Sequence, residues 1–126
     1  MGASSSAFAQ DMVSVADLGR RYGIFYFYAS TCAACRVQNP ILYSLRRQGL
    51  PVMAISQDEG PNPYFPDYKI DGKLGQRLGV PRNITPTLAA FDSLLRQTVI
   101  LGSGVIEGRV IVEGLLHLLR QSGGAI

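Results

Sequence analysis

The two cysteines of the chain, Cys32 and Cys35, are separated by Ala33 and Ala34. A disulfide across so short a loop removes little conformational entropy from the unfolded chain, so the cysteine pair is poorly suited to a stabilising role. The spacing is typical of a redox-active pair, in which one thiolate attacks a disulfide and the second thiol completes the exchange. The motif therefore predicts thiol-disulfide chemistry.

The position of the cysteine pair predicts the role of each thiol. An unbroken apolar run, Ile24–Ala29, precedes it, and residues with helical spacing follow it. At a helix N-terminus, unpaired N–H groups and the helix dipole lower the pKa of a thiol below the ordinary value of about 8.5. We expect Cys32 to be the nucleophile and Cys35, one turn inside the helix, to resolve the mixed disulfide. Ala33 and Ala34 offer the thiolate only backbone groups, which indicates a pair that is not an extreme oxidant.

A second candidate for chemistry is Thr85-Pro86-Thr87, which stands just before an apolar run. A proline at the start of a strand, after a β-favouring residue, is compatible with a cis peptide bond.

Hydrophobic spacing and turn residues predict the elements that position these motifs. The first two strands are joined through a helix and are expected to be parallel, whereas the last two are close enough to form an antiparallel hairpin. The predicted elements are a helix from Asp11 to Arg21 that Gly23 ends, a strand at Ile24–Ala29, a helix at Cys32–Gln48 capped by Ser30-Thr31, a strand at Val52–Ile55, a loop at Gln57–Tyr68, a helix at Asp71–Leu78, strands at Thr87–Phe91 and Gln97–Leu101, and a helix from Glu107 to Gln121.

The composition fits one compact domain. The chain has 126 residues, of which 47% are hydrophobic and 17% charged, with a net charge of +3. Its longest apolar run has only seven residues, whereas a membrane-spanning helix needs about 20, so no membrane span is expected. The basic residues are scattered, which gives no indication of nucleic-acid binding. We expect a single domain over residues 11–126.

The first ten residues are small and polar, and we interpret residues 1–10 as a disordered tail or a cloning remnant. Ala7-Phe8-Ala9 has the small-x-small pattern of a signal-peptidase site, but no apolar segment precedes it. The pattern suggests an exported protein whose signal peptide is absent from this sequence.

The cysteine motif, Pro40 eight residues after Cys32, and Thr85-Pro86-Thr87 together resemble the thioredoxin superfamily over residues 22–121. The resemblance implies an α/β fold with a mixed four-stranded sheet flanked by helices, here with an extra N-terminal helix. It also implies that Thr85-Pro86 packs beside the cysteines and that the backbone of Thr85 pairs with a substrate peptide. Thr85, Pro86, Ala33 and Ala34 are therefore the expected substrate-binding residues.

Within this superfamily, Leu18–Phe25, the loop around Asp58, and Leu78-Gly79-Val80 resemble the TraF/TrbB-like proteins of conjugative plasmid transfer. That resemblance implies a periplasmic thiol-disulfide oxidoreductase, of the isomerase or reductase type, which supports assembly of a type IV secretion system. Its expected partners are protein substrates with cysteines or disulfides, a redox partner protein that resets the pair, and proteins of the conjugation or secretion apparatus. No cofactor and no metal are expected.

The sequence departs from thioredoxins proper at two positions. Those proteins carry a buried acid six residues before the first cysteine and a tryptophan just before it, where this chain has Tyr26 and Thr31. The departure argues against a cytoplasmic thioredoxin.

Two other functions remain open from the sequence. One is a non-catalytic interaction module of the secretion apparatus. The other is a metallochaperone that uses the cysteine pair. A metal site normally needs more ligands, and the only histidine, His117, lies far along the chain and is interpreted as a surface or packing residue.

The loop after the second strand also leaves alternatives. Asp58 and Glu59 are interpreted as solvated residues. The alternative is that one of them accepts a proton from Cys35. The stretch Pro61–Tyr68 contains Tyr64, Phe65 and Tyr68 and is either a partner-binding loop or a self-packed surface loop.

Overall fold

The computed structural model describes residues 13–124 and residue 126. The expected tail at residues 1–10, including Ala7-Phe8-Ala9, lies outside the described residues, as does the expected helix start at Asp11.

Helices and strands alternate along the chain as the hydrophobic pattern predicts. All of the expected elements are present, together with one short strand that was not expected. In chain order the elements are α1 (Val15–Gly19), β1 (Tyr22–Tyr28), α2 (Ala33–Arg47), β2 (Val52–Ser56), β3 (Lys69–Ile70), α3 (Leu74–Leu78), β4 (Thr87–Asp92), β5 (Gln97–Ser103) and α4 (Gly108–Gln121).

The strands form one mixed sheet in the order β3-β2-β1-β4-β5. β1 pairs in parallel with β2 and antiparallel with β4, and β4 and β5 form the expected hairpin. The α/β architecture is confirmed, but the sheet has five strands, so the expectation of four is wrong. The additional strand, β3, consists of two exposed residues that pair with Ile55 and Ser56. A strand this short and exposed has no hydrophobic pattern that the sequence could reveal.

β1 is the central strand, and its side chains alternate between the two faces of the sheet, as the period of a strand requires. Ile24, Tyr26 and Tyr28 enter the larger apolar cluster, which also contains buried side chains of α1, α2 and α4. Phe27 enters a smaller cluster on the other face, where Phe25 packs against it. Helices therefore cover both faces of the strand that leads to the cysteines.

Several element boundaries differ from the sequence prediction, among them those of α1 and β1. Gly23, expected to end the first helix, lies inside β1 opposite Phe91, so β1 begins at Tyr22 rather than Ile24. α1 is short and begins after Ser14, whose hydroxyl accepts from the N–H of Asp17 while the Asp17 carboxylate accepts from the N–H of Ser14. This reciprocal cap starts the helix at Val15.

A buried ion pair connects the extra helix to the sheet. Arg21, just after α1, donates from Nε and Nη2 to the two carboxylate oxygens of Asp92 at 3.0 and 2.7 Å. Asp92 closes β4 and also accepts from the N–H groups of Leu94 and Leu95 in the hairpin turn. The hydrogen bond from Arg21 holds the pKa of Asp92 below its usual range.

No helix in the described part of the chain is long and apolar enough to cross a membrane.

Candidate active site

The cysteine pair lies at the junction between the central strand and the helix that follows it. The N–H of Cys32 donates to the carbonyl oxygen of Ala29 at 3.2 Å, which closes a tight turn after β1. Cys32 itself is the N-cap of α2, and its Sγ accepts from the N–H of Cys35 at 3.1 Å. The expectation that Ser30-Thr31 caps this helix is wrong. The cysteine sulfur takes the position of the capping oxygen, so it is the atom that the helix N-terminus stabilises as a thiolate.

The two sulfurs are joined in a disulfide and differ in their accessibility. The Cα atoms are 5.2 Å apart. Cys35 is only 2% exposed, whereas Cys32 is partly exposed. An incoming thiol or disulfide can therefore reach the sulfur of Cys32, while Cys35 can be reached only through it.

The Thr85-Pro86 segment is brought next to the cysteines. The Sγ of Cys32 lies 3.4 Å from the carbonyl oxygen of Thr85. The Thr85-Pro86 peptide bond is cis, Pro86 is buried and Thr85 is partly exposed. The hydroxyl of Thr87 donates to the carbonyl of Ile84, and the carbonyl of Pro86 accepts from the N–H of Gly104 at 2.8 Å. These two hydrogen bonds hold the Thr85-Pro86 segment in place.

Exposed apolar side chains border this site, and we call them the apolar rim. Ile84, directly before Thr85, is 50% exposed, and Val37, in the first turns of α2, is 55% exposed. Val105, which follows the glycine that bonds Pro86, is 43% exposed. No sequence pattern marked Ile84 or Val105 as exposed. Ala33 is exposed and Ala34 partly exposed between the cysteines.

A buried polar network lies beneath the cysteine helix. The hydroxyl of Tyr26 donates to Oδ1 of Asn39 at 2.6 Å and lies 3.1 Å from the carbonyl oxygen of Cys35. The same Asn39 oxygen accepts from Nδ2 of Asn62 at 2.9 Å. Burial raises the pKa of Tyr26 well above its ordinary value. The phenol therefore remains a hydrogen-bond donor where thioredoxins proper have an acid, and no sequence pattern marked either asparagine.

Asp58 has an exposed side chain whose carboxylate is held in place by hydrogen bonds. Its two carboxylate oxygens accept from Ser30, Ser56 and Gly60. These hydrogen bonds, led by that from the Ser30 side chain, lower the pKa of Asp58 to about 2. The side chain of Asp58 is exposed, as expected of a solvated residue, but it is held in one position, and the hydrogen bonds that hold it do not involve Cys35.

The aromatic loop is packed mainly on the protein itself. Phe65 is fully buried and contacts the ring of Tyr26 edge-on, and Tyr68 packs in the same way on Tyr28. Tyr64 is 39% exposed and packs against Tyr43 of α2. Of the two interpretations of this loop, self-packing describes Phe65 and Tyr68.

Over residues 13–124 and 126, no group of three or more His, Cys, Asp and Glu side chains is arranged to hold a metal ion. His117 is exposed on α4.

Comparison with known proteins gives one family match and several similar folds. The model of the family described as TraF, F plasmid transfer operon protein, matches residues 5–116. No curated protein sequence matches the chain.

Three solved structures illustrate the similarity in fold. A secreted thiol-disulfide isomerase from Corynebacterium glutamicum has 19% sequence identity and a TM-score of 0.60, over 82% of this chain and 74% of that one. A DsbF homologue from Corynebacterium diphtheriae has 20% identity and a TM-score of 0.59, over 85% and 77% of the two chains. The exposed lipoprotein thioredoxin Etrx1 from Streptococcus pneumoniae strain TIGR4 has 17% identity and a TM-score of 0.57, over 82% and 89%. The similarity shows a thioredoxin-like fold.

Proposed function

The chain belongs to the TraF family of F plasmid transfer operon proteins, and from this premise we propose that it is a thiol-disulfide oxidoreductase of the isomerase or reductase type. The observation that carries the proposal is the position of Cys32. Its sulfur caps α2, is the accessible sulfur of a disulfide, and lies beside the Thr85 carbonyl. A helix N-terminus stabilises a thiolate, and an accessible thiolate with a second cysteine within reach is what disulfide exchange requires.

The exchange uses only the two sulfurs. In the reduced protein the Cys32 thiolate attacks a substrate disulfide, so that a bond forms between Cys32 Sγ and one substrate sulfur while the substrate disulfide breaks. The departing substrate thiolate takes up a proton. Cys35 then loses its proton and attacks Cys32 Sγ, which forms the internal disulfide and releases the second substrate thiolate. Two electrons pass from the cysteine pair to the substrate, and the same steps in reverse oxidise a substrate dithiol.

Isomerisation needs only the first half of this sequence. A different substrate thiolate attacks the substrate sulfur of the mixed disulfide, which forms a new substrate disulfide and releases the Cys32 thiolate. No net oxidation occurs, and no cofactor is required for either route.

The surface around Cys32 supports protein substrates. The backbone of Thr85 lies where an extended peptide can pair beside the cysteine sulfur, with Pro86 beneath it. The small side chains of Ala33 and Ala34 leave the peptide room to approach. The apolar rim of Val37, Ile84 and Val105 offers contacts to apolar side chains that flank the substrate cysteine.

The proposed setting is the periplasm, in support of conjugative type IV secretion. The TraF family match supports a role in plasmid transfer, and the fold is shared with a secreted isomerase and an exposed lipoprotein, which supports an extracytoplasmic location. In that setting the partners are secretion or conjugation proteins that carry cysteines or disulfides. A separate redox partner protein resets the cysteine pair after each net oxidation or reduction.

The test measures disulfide exchange by the purified protein. Insulin reduction in the presence of glutathione and recovery of activity by a scrambled disulfide protein report the reductase and isomerase activities. We expect activity from the parent protein and none from Cys32→Ser. A parent protein that exchanges with neither substrate, although folded, contradicts the proposal and favours the interaction module instead.

A further inference from the structure

Asp58 connects the loop after β2 to the turn that presents the cysteine pair. Its Oδ2 accepts from both the N–H and the hydroxyl of Ser30, at 2.8 and 2.7 Å. Its Oδ1 accepts from the hydroxyl of Ser56 at 3.1 Å and from the N–H of Gly60 at 3.0 Å. We call this arrangement the Asp58 clamp. All four donors are neutral, so they hold the carboxylate in place without cancelling its charge, and the side chain is also exposed to solvent.

The Asp58 clamp is tightly built because Gly60 lies against Ser30. A Cβ atom at Gly60 would lie 2.2 Å from the Ser30 hydroxyl oxygen, so a side chain there would force the loop away from the turn. The carbonyl of Gly60 accepts from the hydroxyl of Tyr28 at 2.8 Å. The loop is thus fastened to the end of β1, which fixes the distance between Asp58 and the turn.

The clamp places a negative charge close to the nucleophile. Ser30 precedes Cys32 by two residues, which span at most about 7 Å. The Asp58 carboxylate, in contact with the Ser30 N–H, therefore lies within about 10 Å of the Cys32 backbone. Because its pKa is lowered to about 2, Asp58 is ionised at every pH at which thiols react. A second negative charge on Cys32 Sγ is disfavoured by a carboxylate at this distance.

We propose that Asp58 is a positioning residue whose fixed charge opposes thiolate formation at Cys32 and makes the cysteine pair a weaker oxidant than its helix-cap position alone would. This inference rests on the proposed function, since it concerns the same cysteine pair. The helix N-terminus and the Cys35 N–H favour the thiolate, and the charge of Asp58 counteracts them. The other charged groups on the segments that meet at Cys32, Arg36, Glu59 and Arg82, have exposed side chains.

The experiment measures Cys32 reactivity in the reduced protein as a function of pH. Alkylation by iodoacetamide is followed at Cys32 by peptide mass, and the dithiol-to-disulfide ratio is read in a fixed glutathione buffer. In Asp58→Asn we expect the Cys32 pKa to fall, so that alkylation below that pKa accelerates roughly two- to fivefold. The dithiol-to-disulfide ratio should rise by up to the same factor.

Two variants separate charge from geometry. Glu59→Gln removes the same charge from the neighbouring residue, which is exposed like Asp58 but lies outside the clamp, and should change alkylation less than Asp58→Asn. Ser30→Ala removes one donor but keeps the charge, and should leave the Cys32 pH profile close to that of the parent. If Asp58→Asn does not fold, Asp58→Ser removes the charge with a smaller side chain.

An unchanged Cys32 profile in either folded Asp58 variant overturns the inference. An equal shift in Glu59→Gln also overturns it, because the effect would then belong to surface charge in general. Alkylation is measured on the protein alone, so its result does not depend on the proposed function. The proposed function fails on a different result, a parent protein that does not exchange with protein disulfides.

Discussion

The Sγ of Cys32 lies 3.4 Å from the carbonyl oxygen of Thr85, although 53 residues separate the two in sequence. The contact joins the N-terminus of α2, the helix that follows β1, to the segment just before β4, and β1 and β4 are neighbouring strands of the sheet. Under the proposed function, a peptide that paired with the Thr85 backbone would have its own sulfur next to Cys32. The proposed nucleophile and the proposed substrate-pairing backbone thus lie side by side.

The different exposure of the two sulfurs predicts the behaviour of Cys35→Ser. Cys32 in this variant still attacks a substrate disulfide, but nothing within the protein can displace the bound substrate. We expect a covalent adduct with a protein substrate, visible by non-reducing electrophoresis and removed by dithiothreitol. Cys32→Ser is the control and should form no adduct. If Cys35→Ser carries out exchange as fast as the parent, the roles assigned to the two cysteines are wrong.

The apolar rim predicts that Ile84 contributes to recognition of protein substrates and not to thiol chemistry. In Ile84→Ser we expect kcat/KM for a protein disulfide to fall about three- to tenfold, because apolar contact area with the substrate is lost. Reaction with a small aromatic disulfide should be unchanged. Leu95→Ser provides a matched control, since Leu95 is equally exposed but lies in the hairpin turn at the other end of the sheet. Equal losses with both substrates would instead indicate a disturbed cysteine site.

The elements around the site were predictable because their signals are local. The apolar run of β1, the cysteine spacing and the proline before β4 can each be read within a few residues. The cap of α2 was mispredicted because the Ser30 hydroxyl, which could cap a helix, is bonded instead to Asp58, 28 residues away. The Cys32 sulfur accepts the capping hydrogen bond from the N–H of Cys35 instead.

Contacts between distant segments account for the rest of what the sequence could not predict. Asn39 and Asn62 are polar residues with no distinctive spacing, and only the packed structure shows that they meet below Tyr26. β3 exists only because the end of β2 offers it two pairing positions. Both depend on how the long loop folds back, and loop conformation is weakly specified by local sequence.

The buried Tyr26 predicts a structural contribution without a role in proton transfer. Tyr26→Phe keeps the ring but removes the donor to Asn39, and the free energy of unfolding should fall by about 1–2 kcal/mol. Because its pKa is raised, Tyr26 does not titrate in the range where the thiols do, so the pH profile of disulfide exchange should be unchanged between about pH 6 and 9. Urea unfolding and the exchange rate against pH measure the two effects. Tyr43→Phe, at an exposed tyrosine of α2, is the control for stability. A displaced pH profile in Tyr26→Phe would show that the phenol does move a proton.

The ion pair between Arg21 and Asp92 predicts how stability depends on pH. The folded-state pKa of Asp92 is lowered, so its stabilising contribution is present above the unfolded value of about 3.9 and is lost as pH falls through the lower folded value. Removing one partner leaves a buried charge uncompensated, so Asp92→Asn should lower the free energy of unfolding by about 3 kcal/mol at neutral pH. The loss should become smaller as pH falls through the lowered folded-state pKa of Asp92, where the parent protein itself becomes protonated at this residue. Asp67→Asn is the matched control, because Asp67 pairs with Arg46 at the exposed surface, where such a pair contributes less than about 1 kcal/mol. Denaturant unfolding of the parent, Asp92→Asn and Asp67→Asn as a function of pH measures these differences. Equal losses of unfolding free energy in the two variants at neutral pH would show that burial does not increase the contribution of the Arg21–Asp92 pair.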